Sequence, residues 1–490
     1  MLSRGVHPAY PAVTVTRAVF GAAPDPGRIA VLDATSGRSL SHAELPALVG
    51  TAASALARAG SSPGDVVGLR LREPLDLAVA LHAVIAAGAV PLPLTGPDTS
   101  RLLEETGARS VIAGDSGGDD GPRTGEAPPL RLADLLAGPA SEGAAPSSAA
   151  GGRACGDVAL LACTRGTGRG PARTVRLTHA EVVAGLVRVA ESAMFGGADT
   201  VLSALPFGTV LGLNGVLNPV LRLGATAVAF SGTGRHDLLR ALRDHRVTVA
   251  VLPPELVEAL AYERAVCRYD LRSLRAVVAA GGPLAAEEAR AAASRLGCPV
   301  RQAYGLAEAG GFTHLNLRAA EEGTLDSVGR GLPGVAWRVV DPRTGAAQPS
   351  YQPGEMCVRL PAARAAAGPA RWLPTGDSAF ADEHGRVYIL GRLAAAHREP
   401  PGDPEAVLAA HPSVADAVVA PAPDDDLGLA PHAFAVLTEP VSEADLLAHV
   451  NGRVPRTRAV SAVHAVDEIP RTADGRVRRR ELLERAGLAP

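Results

Sequence analysis

The 490-residue chain contains no lysine, so its 48 basic residues are all arginines. With its many Ala, Gly, Pro and Arg residues, that absence points to GC-rich coding rather than to a functional choice. Its chemical consequence remains, because a forked guanidinium does not reach as a compact ammonium does. Excess charge is also missing. A net charge of −3 gives no electrostatic reason to expect nucleic acid or an anionic membrane as a partner. The local basic run "RTADGRVRRRELLER" near the C-terminus is explained by a docked, solvated helix. The five cysteines (155, 163, 267, 298 and 357) form no CxxC and no ligand spacing, as expected of reduced thiols in a cytoplasm. The first residues lack an uninterrupted apolar segment, so no signal peptide is expected. The most apolar stretch, "LAVALHAVIAAGAVPLPL", contains His82 and two prolines and is too broken for a membrane span of about 20 residues. It reads as a buried helix ending near Gly88, then a strand.

What is present is an α/β pattern in a chain long enough for two or three lobes. With 47% hydrophobic and 20% charged residues, the chain reads as a soluble globular protein. "SLSHAELPALVGTAASALARAG" opens with Ser41 and Glu44 in capping-box spacing and puts Leu45, Leu48, Val49, Ala52 and Leu56 on one face. Gly60 ends it. The stretches 114–129 and 137–156 are Gly-, Ser-, Pro- and Ala-rich and read as linkers. A second α/β region follows to about 340, with "TVAVLPPELVEALA" and "LRAVVAAGGPLAAEEARAAASRLG" each reading as strand, turn, helix. Short strands fill 335–390. After Gly391 a small unit remains, in which Asp403 and Pro404 open one helix and "SEADLLAHV" is another, beside the strands "VADAVVA" and "HAFAVLT".

"TRGTGRGPARTVRLTH" (164–179) raises a chemical question. Its glycines can turn backbone N–H groups toward a phosphate, but it has neither the G-K-[ST] ending of a P-loop nor a GxGxxG spacing. Thr178 and Glu181 have capping-box spacing, so the loop leads into a helix N-terminus, where anions are favoured.

Four further segments follow in order: 205–226, 269–310 ending in "YGLAEAG", "WLPTGDSAFADEHGRVYILGR" (372–392) and "IPRTADGRVRRREL" (469–482). With these five motifs the chain resembles, over nearly its whole length, the adenylate-forming superfamily of acyl-CoA synthetases, peptide-synthetase adenylation domains and luciferases. It looks most like the acyl-CoA synthetases. The resemblance implies a large N-terminal AMP-binding region (1–391) of two α/β subdomains and a small β-rich one. It also implies a small mobile α+β C-terminal domain (392–490). The reaction implied is ATP- and Mg²⁺-dependent activation of a carboxylic acid as its acyl-adenylate, passed on to CoA, a carrier-protein thiol or an amine.

Site residues carry over one by one as implications of the resemblance. Asp377 would hold the ribose hydroxyls, and Arg392 would face the nucleotide. Tyr304, followed by Gly305, would stack on adenine beside Gly281, Gly282 and Pro283. Thr164, Gly166, Thr167 and Gly168 would line the phosphate loop. Glu308 would hold Mg²⁺, a hard cation suited to carboxylate and phosphate oxygens. Arg476, Glu308 and His179 are the catalytic candidates. Thr209, Ala303 and Gly310 are the substrate-binding ones, and segment 205–226 would form the acyl-pocket helix. Singly, each has an ordinary reading as a turn aspartate, a core tyrosine or a surface glutamate. Their order is what gives them meaning.

The departures are uneven. Arg165 and Gly168 stand where the phosphate loop carries serine and threonine. Ala307 replaces the phosphate-bonding threonine, and Thr209 the aromatic or histidine that gates the acyl pocket. The segment after Arg392 is shortened with Ala394 at the hinge, and Arg476 replaces the catalytic lysine. Two readings follow: an acid ligase, or a degenerate member that binds nucleotide or acyl-adenylate and acts by interaction. The small residues Gly208, Ala280, Ala303, Gly310 and Gly311 suggest room for a bulky or aromatic acyl group.

Overall fold

A computed structural model of the chain describes residues 11–21, 24–94, 98–114, 129–137, 155–164, 173–232, 234–316, 324–360, 372–393, 404–424, 428–454, 459–471 and 477–488. The chain divides into two compact units, Met1–Gly391 and Arg392–Pro490.

The first unit is built on a nine-stranded sheet. Its parallel centre runs, in spatial order, Val300–Leu306, Ala276–Ala280, Val249–Leu252, Thr200–Ser203, Thr226–Ala229 and Ile29–Asp33. Antiparallel strands close both edges. Strands covered on both faces read as unbroken apolar runs rather than alternations, and "VAVL" and "AVVAA" are buried at every position. Val249 and Val251 enter one core, while Ala250 and Leu252 enter the core on the opposite face. Helices Pro254–Tyr262 and Ala286–Leu296 follow their strands as expected.

A four-stranded parallel sheet forms a second α/β layer: Val90–Pro93, Val66–Arg70, Ser110–Ala113 and Leu130–Arg131. The buried helix Pro74–Ala86 leads to Gly88, at φ +81°, and then to the Val90–Pro93 strand. A four-stranded antiparallel meander, Ala336–Val340, Gly354–Arg359, Leu373–Ala381 and Val387–Arg392, completes the unit. The α/β class with a β-rich annex is thus the one the sequence implies.

Three local expectations need correction or restriction. Ser41 and Glu44 do exchange capping-box hydrogen bonds, at 2.8 and 3.1 Å. The helix nevertheless begins only at Glu44, because Ser41 is the last residue of a strand. Segment 205–226 does not form one α-helix but a short α-turn, a π-helical stretch Leu213–Leu217 and a second turn Asn218–Arg222. Pro219 cannot donate to the carbonyl four residues back, and the ladder widens just before it, with the Asn218 N–H reaching Leu213 O. The linkers lie mostly in 115–128 and 138–154, and the Asp403 cap also falls outside the described residues.

Among the described residues, the second unit is a three-stranded sheet, Val414–Asp424, Gly428–Leu437 and Ala462–Ala465, with three helices. Ser442 caps one of them, accepting the Asp445 N–H at 3.1 Å.

Candidate active site

Three parallel strands, Val249–Leu252, Ala276–Ala280 and Val300–Leu306, end at the same edge of the large sheet, where α/β folds commonly bind ligands. Gly281, Gly282 and Pro283 leave the middle strand exposed to solvent. Gly281 sits at φ +97°, a conformation an L side chain resists. Tyr304 stands half-buried near the end of its strand, and its hydroxyl donates to Asp377 Oδ2 at 2.5 Å. Two residues 73 positions apart, assigned to adenine and ribose, are therefore brought into contact. The Tyr304 ring meets His314 edge-on at 6.0 Å. Burial, reinforced by the Arg188 charge, pushes His314 down to about 3, so the ring is neutral at ordinary pH.

The Thr375–Gly376–Asp377 turn owes its shape to a break in the meander. Glu355 pairs with Ser378 and Cys357 with Pro374, so these three residues stand opposite Met356 alone. Such an excursion re-aims side chains out of the ladder. Thr375 Oγ1 donates to Met356 O at 2.8 Å and accepts the Asp377 N–H at 3.1 Å. Glu355 Oε1 accepts the Gly376 N–H at 3.1 Å, and Gly376 takes φ +72°. Asp377 is left only 7% exposed, its backbone fixed from both sides.

The segment proposed to hold phosphate is an antiparallel hairpin, Val158–Thr164 with Arg173–Thr178. Thr164 pairs with Arg173 at its open end. Gly166, Thr167 and Gly168 lie outside the described residues. At its base the capping box forms in full: Glu181 N–H donates to Thr178 Oγ1 at 3.2 Å, and Thr178 N–H to Glu181 Oε2 at 2.8 Å. His179 is the first residue of helix His179–Ala190, 3% exposed, and its Nδ1 accepts the Val15 N–H at 3.3 Å. One of its ring nitrogens thus anchors the helix Val15–Phe20.

Glu308 lies exposed on the short turn Ala307–Ala309, next to a half-buried Ala307. Among the described residues no group of three or more His, Cys, Asp and Glu side chains could hold a metal. Glu308 can offer one carboxylate, which suits an ion that keeps water and shares phosphate oxygens. Thr209 is used locally, donating to Pro206 O at 2.8 Å and accepting the Gly212 N–H at 3.1 Å. Ala303 is 4% exposed and Gly310 is buried, while Gly305 is half-buried. Arg392 ends the strand Val387–Arg392, and Arg476 lies outside the described residues.

Three supporting residues escaped the sequence reading. Asn214 Nδ2 donates to Gly310 O at 2.6 Å and Val182 O at 2.9 Å, tying the broken helix to the turn that follows Glu308. Arg188, with no exposed surface, donates to Phe312 O at 3.0 Å. Glu355 holds Gly376. For Asn214 the signal was an amide, paired with Asn218 four residues on, in an apolar run. For Arg188 it was an arginine on the inward face of a helix.

Residues 21–364 match the family model described as AMP-binding enzyme, and 404–476 the one described as AMP-binding enzyme C-terminal domain. The chain is 31% identical to 4-coumarate--CoA ligase 2 of Oryza sativa subsp. japonica, over 94% of this chain and 89% of that protein. It is 30% identical to 4-coumarate--CoA ligase-like 9 of the same organism, over 96% and 92%. Among solved structures it resembles ATP-bound MatB from Rhodopseudomonas palustris, with TM-score 0.69 and 23% identity over 97% and 99% of the two chains. It also resembles o-succinylbenzoate CoA synthetase from Bacillus subtilis with its acyl-adenylate intermediate, with TM-score 0.67 and 24% identity over 96% and 98%. These two likenesses speak for the fold. No described helix is long and apolar enough to cross a membrane.

Proposed function

The chain belongs to the AMP-binding enzyme family, and from that premise we propose that it is an ATP-dependent ligase activating a carboxylic acid as its acyl-adenylate. The observation that carries the reading is the contact of Tyr304 with Asp377 at the sheet edge, with the Thr375–Asp377 turn built to hold that carboxylate. A fixed carboxylate suits two ribose O–H donors, and an aromatic face beside exposed glycine backbone suits a purine.

In the reaction, an oxygen of the acid forms a bond to the α-phosphorus of ATP as the bond to the β-phosphate bridge breaks and pyrophosphate leaves. Little covalent chemistry falls to the protein, and positioning and charge neutralisation do most of the catalysis. We assign nucleotide binding to Asp377, Tyr304, Arg392 and the Gly281–Pro283 backbone. Thr164, with Gly166, Thr167 and Gly168, is assigned to the phosphates. Glu308 is the residue that would hold Mg²⁺, which supplies charge neutralisation at the phosphates. Arg476 is assigned to the transferring phosphoryl group. We assign His179 to scaffolding, because its Nδ1 already accepts a backbone N–H from another helix.

The adenylate would then pass to a thiol, and the relatives' names favour CoA over a carrier-protein thiol or an amine. The shortened segment after Arg392 leads us to expect pyrophosphate release to outrun thioester formation. A non-catalytic nucleotide binder is the second reading. It is favoured by Ala307, which leaves no hydroxyl where the family bonds phosphate, and by Arg476. Acid-dependent ATP–pyrophosphate exchange separates the two. Exchange with at least one acid supports the ligase. Tight AMP binding without exchange for any acid of a broad panel overturns it.

A further inference from the structure

We infer that His432 and His464 form a proton-sensitive seat for the segment that carries Arg476. The seat holds while both rings are neutral and gives way when the pair takes up one proton. The inference rests on the ligase reading only where it concerns Arg476, and the seat itself stands on the geometry of the second unit.

The strands Gly428–Leu437 and Ala462–Ala465 run parallel, with His432 opposite Ala462 and Phe434 opposite His464. Side chains two apart share a face of a strand, so His432, Phe434 and His464 stand on one side of the sheet. On that side Phe434 packs in one cluster with Ile469 and Leu482. Ile469 precedes Arg476 in the chain, and Leu482, on the helix Arg479–Arg485, follows it. A β-bridge between Arg471 and Val477 joins the two flanks, and the Arg478 N–H donates to Pro470 O at 2.8 Å. Both flanks of Arg476 therefore rest on the sheet face that holds the histidines.

His432 Nδ1 and His464 Nε2 lie 2.9 Å apart, one donating and the other accepting. The rings are nearly parallel with centroids at 5.1 Å, and the His464 ring also lies against Phe434 at 5.3 Å. His432 is 6% exposed, and its Nε2 is buried with no hydrogen-bond partner. In the neutral pair two of four nitrogens carry protons, and Nε2 can stay bare. With one more proton, three nitrogens carry them. The shared hydrogen bond then survives only if the bare nitrogen is one of the two that face each other. His432 Nε2 must in that case bear a buried N–H with no acceptor, which is costly. A single proton therefore breaks either the bond or the burial.

The surroundings do little to relieve this. Burial and the His432 ring hold His464 below its ordinary value, against a smaller upward pull from Glu443, which accepts the Ala465 N–H at 2.7 Å. Ala420, opposite His432 on the third strand, brings no charge. Along the covering segment, Glu481 pairs with Arg478 at 3.5 Å and with Arg485 at 2.7 Å, Arg485 also with Glu468, and Arg471 with Asp416 at 3.0 Å. A histidine depressed in the fold protonates first in the unfolded chain. The seat is therefore whole above about pH 6.5 and weakens as the pH falls below it.

The test is hydrogen exchange of the full chain at pH 7.5 and 5.5, corrected for intrinsic rates, beside ATP–pyrophosphate exchange at the same two values. In the parent, amides of 462–471 and 477–488 should lose about tenfold in protection at pH 5.5, the loss one such group gives per pH unit. The strand Ala276–Ala280 should keep its protection, and AMP affinity should hold. His464→Gln offers an amide oxygen to His432 Nδ1 but takes up no proton. Between the two pH values its protection, and its kcat for pyrophosphate exchange, should fall about tenfold less than the parent's. His464→Ala should be loosened already at pH 7.5. His411 and His449 are unchanged in all three proteins, so the differences belong to this pair. A parent and His464→Gln that lose protection alike overturn the seat, as does a His464→Ala protected like the parent at pH 7.5. If protection moves as expected while the kcat ratio of parent to His464→Gln stays constant, the seat stands and its hold on Arg476 is overturned. No pyrophosphate exchange with any acid at either pH overturns the ligase reading and the link to Arg476, while the hydrogen-exchange comparison still decides the seat.

Discussion

The two sides of the Val300–Leu306 strand end are held by different physics. On the side assigned to the nucleotide, Tyr304, Asp377, Thr375 and Glu355 make hydrogen bonds of 2.5 to 3.1 Å with specific donors and acceptors. On the opposite side, the Leu211 methyl rests on the Gly305 backbone and the Phe312 ring lies against Gly215, contacts of shape rather than of hydrogen bonding. Hydrogen bonds need particular atoms at particular angles, so they constrain which residues can stand there. Apolar packing needs only volume, and a side chain from any neighbouring element can supply it. A conserved-looking motif is therefore a good guide on the first side and a poor one on the second.

The hardest test of this contrast removes a charge that belongs to neither side. Arg476→Ala should lower pyrophosphate exchange by about 10²- to 10³-fold while AMP affinity holds, because a phosphoryl-stabilising group acts on the transition state. Arg476→Lys should raise exchange if the arginine is a poor substitute for an ammonium, and lower it if the site has adapted to the fork. A flat response to both, in an active enzyme, removes Arg476 from the site.

Next comes the polar side itself. Asp377→Ala should weaken AMP binding about ten- to a hundredfold, as expected for loss of a charged hydrogen-bond acceptor, and leave the ranking of acids unchanged. If calorimetry finds AMP affinity intact, or if the ranking shifts, the two sides are not separable as described.

Acid pH probes the buried rings. Burial pushes His82 down to about 4, and burial with the Arg188 charge pushes His314 down to about 3, both from an ordinary 6.5. A histidine whose folded pKa is depressed stays neutral in the fold but protonates in the unfolded chain. Its contribution to stability is therefore complete above pH 6.5 and declines as the pH falls toward 3 to 4. Each ring should cost about 1.4 kcal/mol per pH unit over most of that interval. His82→Leu should flatten the slope of the urea midpoint against pH by one ring's share. An unchanged slope means that His82 takes up its proton in the folded state.

Smaller effects belong to the supports. Thr375→Val removes the donor to Met356 O and the acceptor for the Asp377 N–H, and should cost about 1 to 2 kcal/mol of stability. It should also weaken AMP binding less than Asp377→Ala does. Thr178→Ala removes a helix cap and should cost about 1 kcal/mol in thermal or urea unfolding. Loss of AMP binding in Thr178→Ala equal to that in Asp377→Ala would show that the cap reaches further into the site than a local hydrogen bond can.

Much of the fold was legible because its parallel core strands are short apolar runs followed by capped or proline-started helices, as at Val249–Leu252 and Pro254–Tyr262. The residues assigned to the nucleotide stood out in the sequence because the Thr375–Asp377 turn and the Tyr304 strand carry polar groups in recognisable order. Asn214, Arg188 and Glu355 were not, since each acts on a backbone group 21 to 124 positions away. The starting point of the Glu44–Arg58 helix was misread because the Ser41–Glu44 hydrogen bonds form whether or not the intervening residues are helical. The expectation of a roomy acyl pocket rested partly on Gly310, which in the fold lies close against the Glu181 carbonyl. A glycine in sequence does not say whether its missing side chain admits a ligand, a carbonyl or a phenyl ring.

The sequence by itself determined the α/β class and the family. It also determined which polar residues were candidates for the nucleotide, because periodicity, caps and hydrogen-bonding groups are properties of residues and their spacing. Only the tertiary structure decided that Tyr304 meets Asp377, that Gly310 is small to let a helix pass, and that Phe312 fills the space over Gly215. These are distances between elements far apart in the chain, and close packing settles them only when every neighbouring side chain has been given its volume.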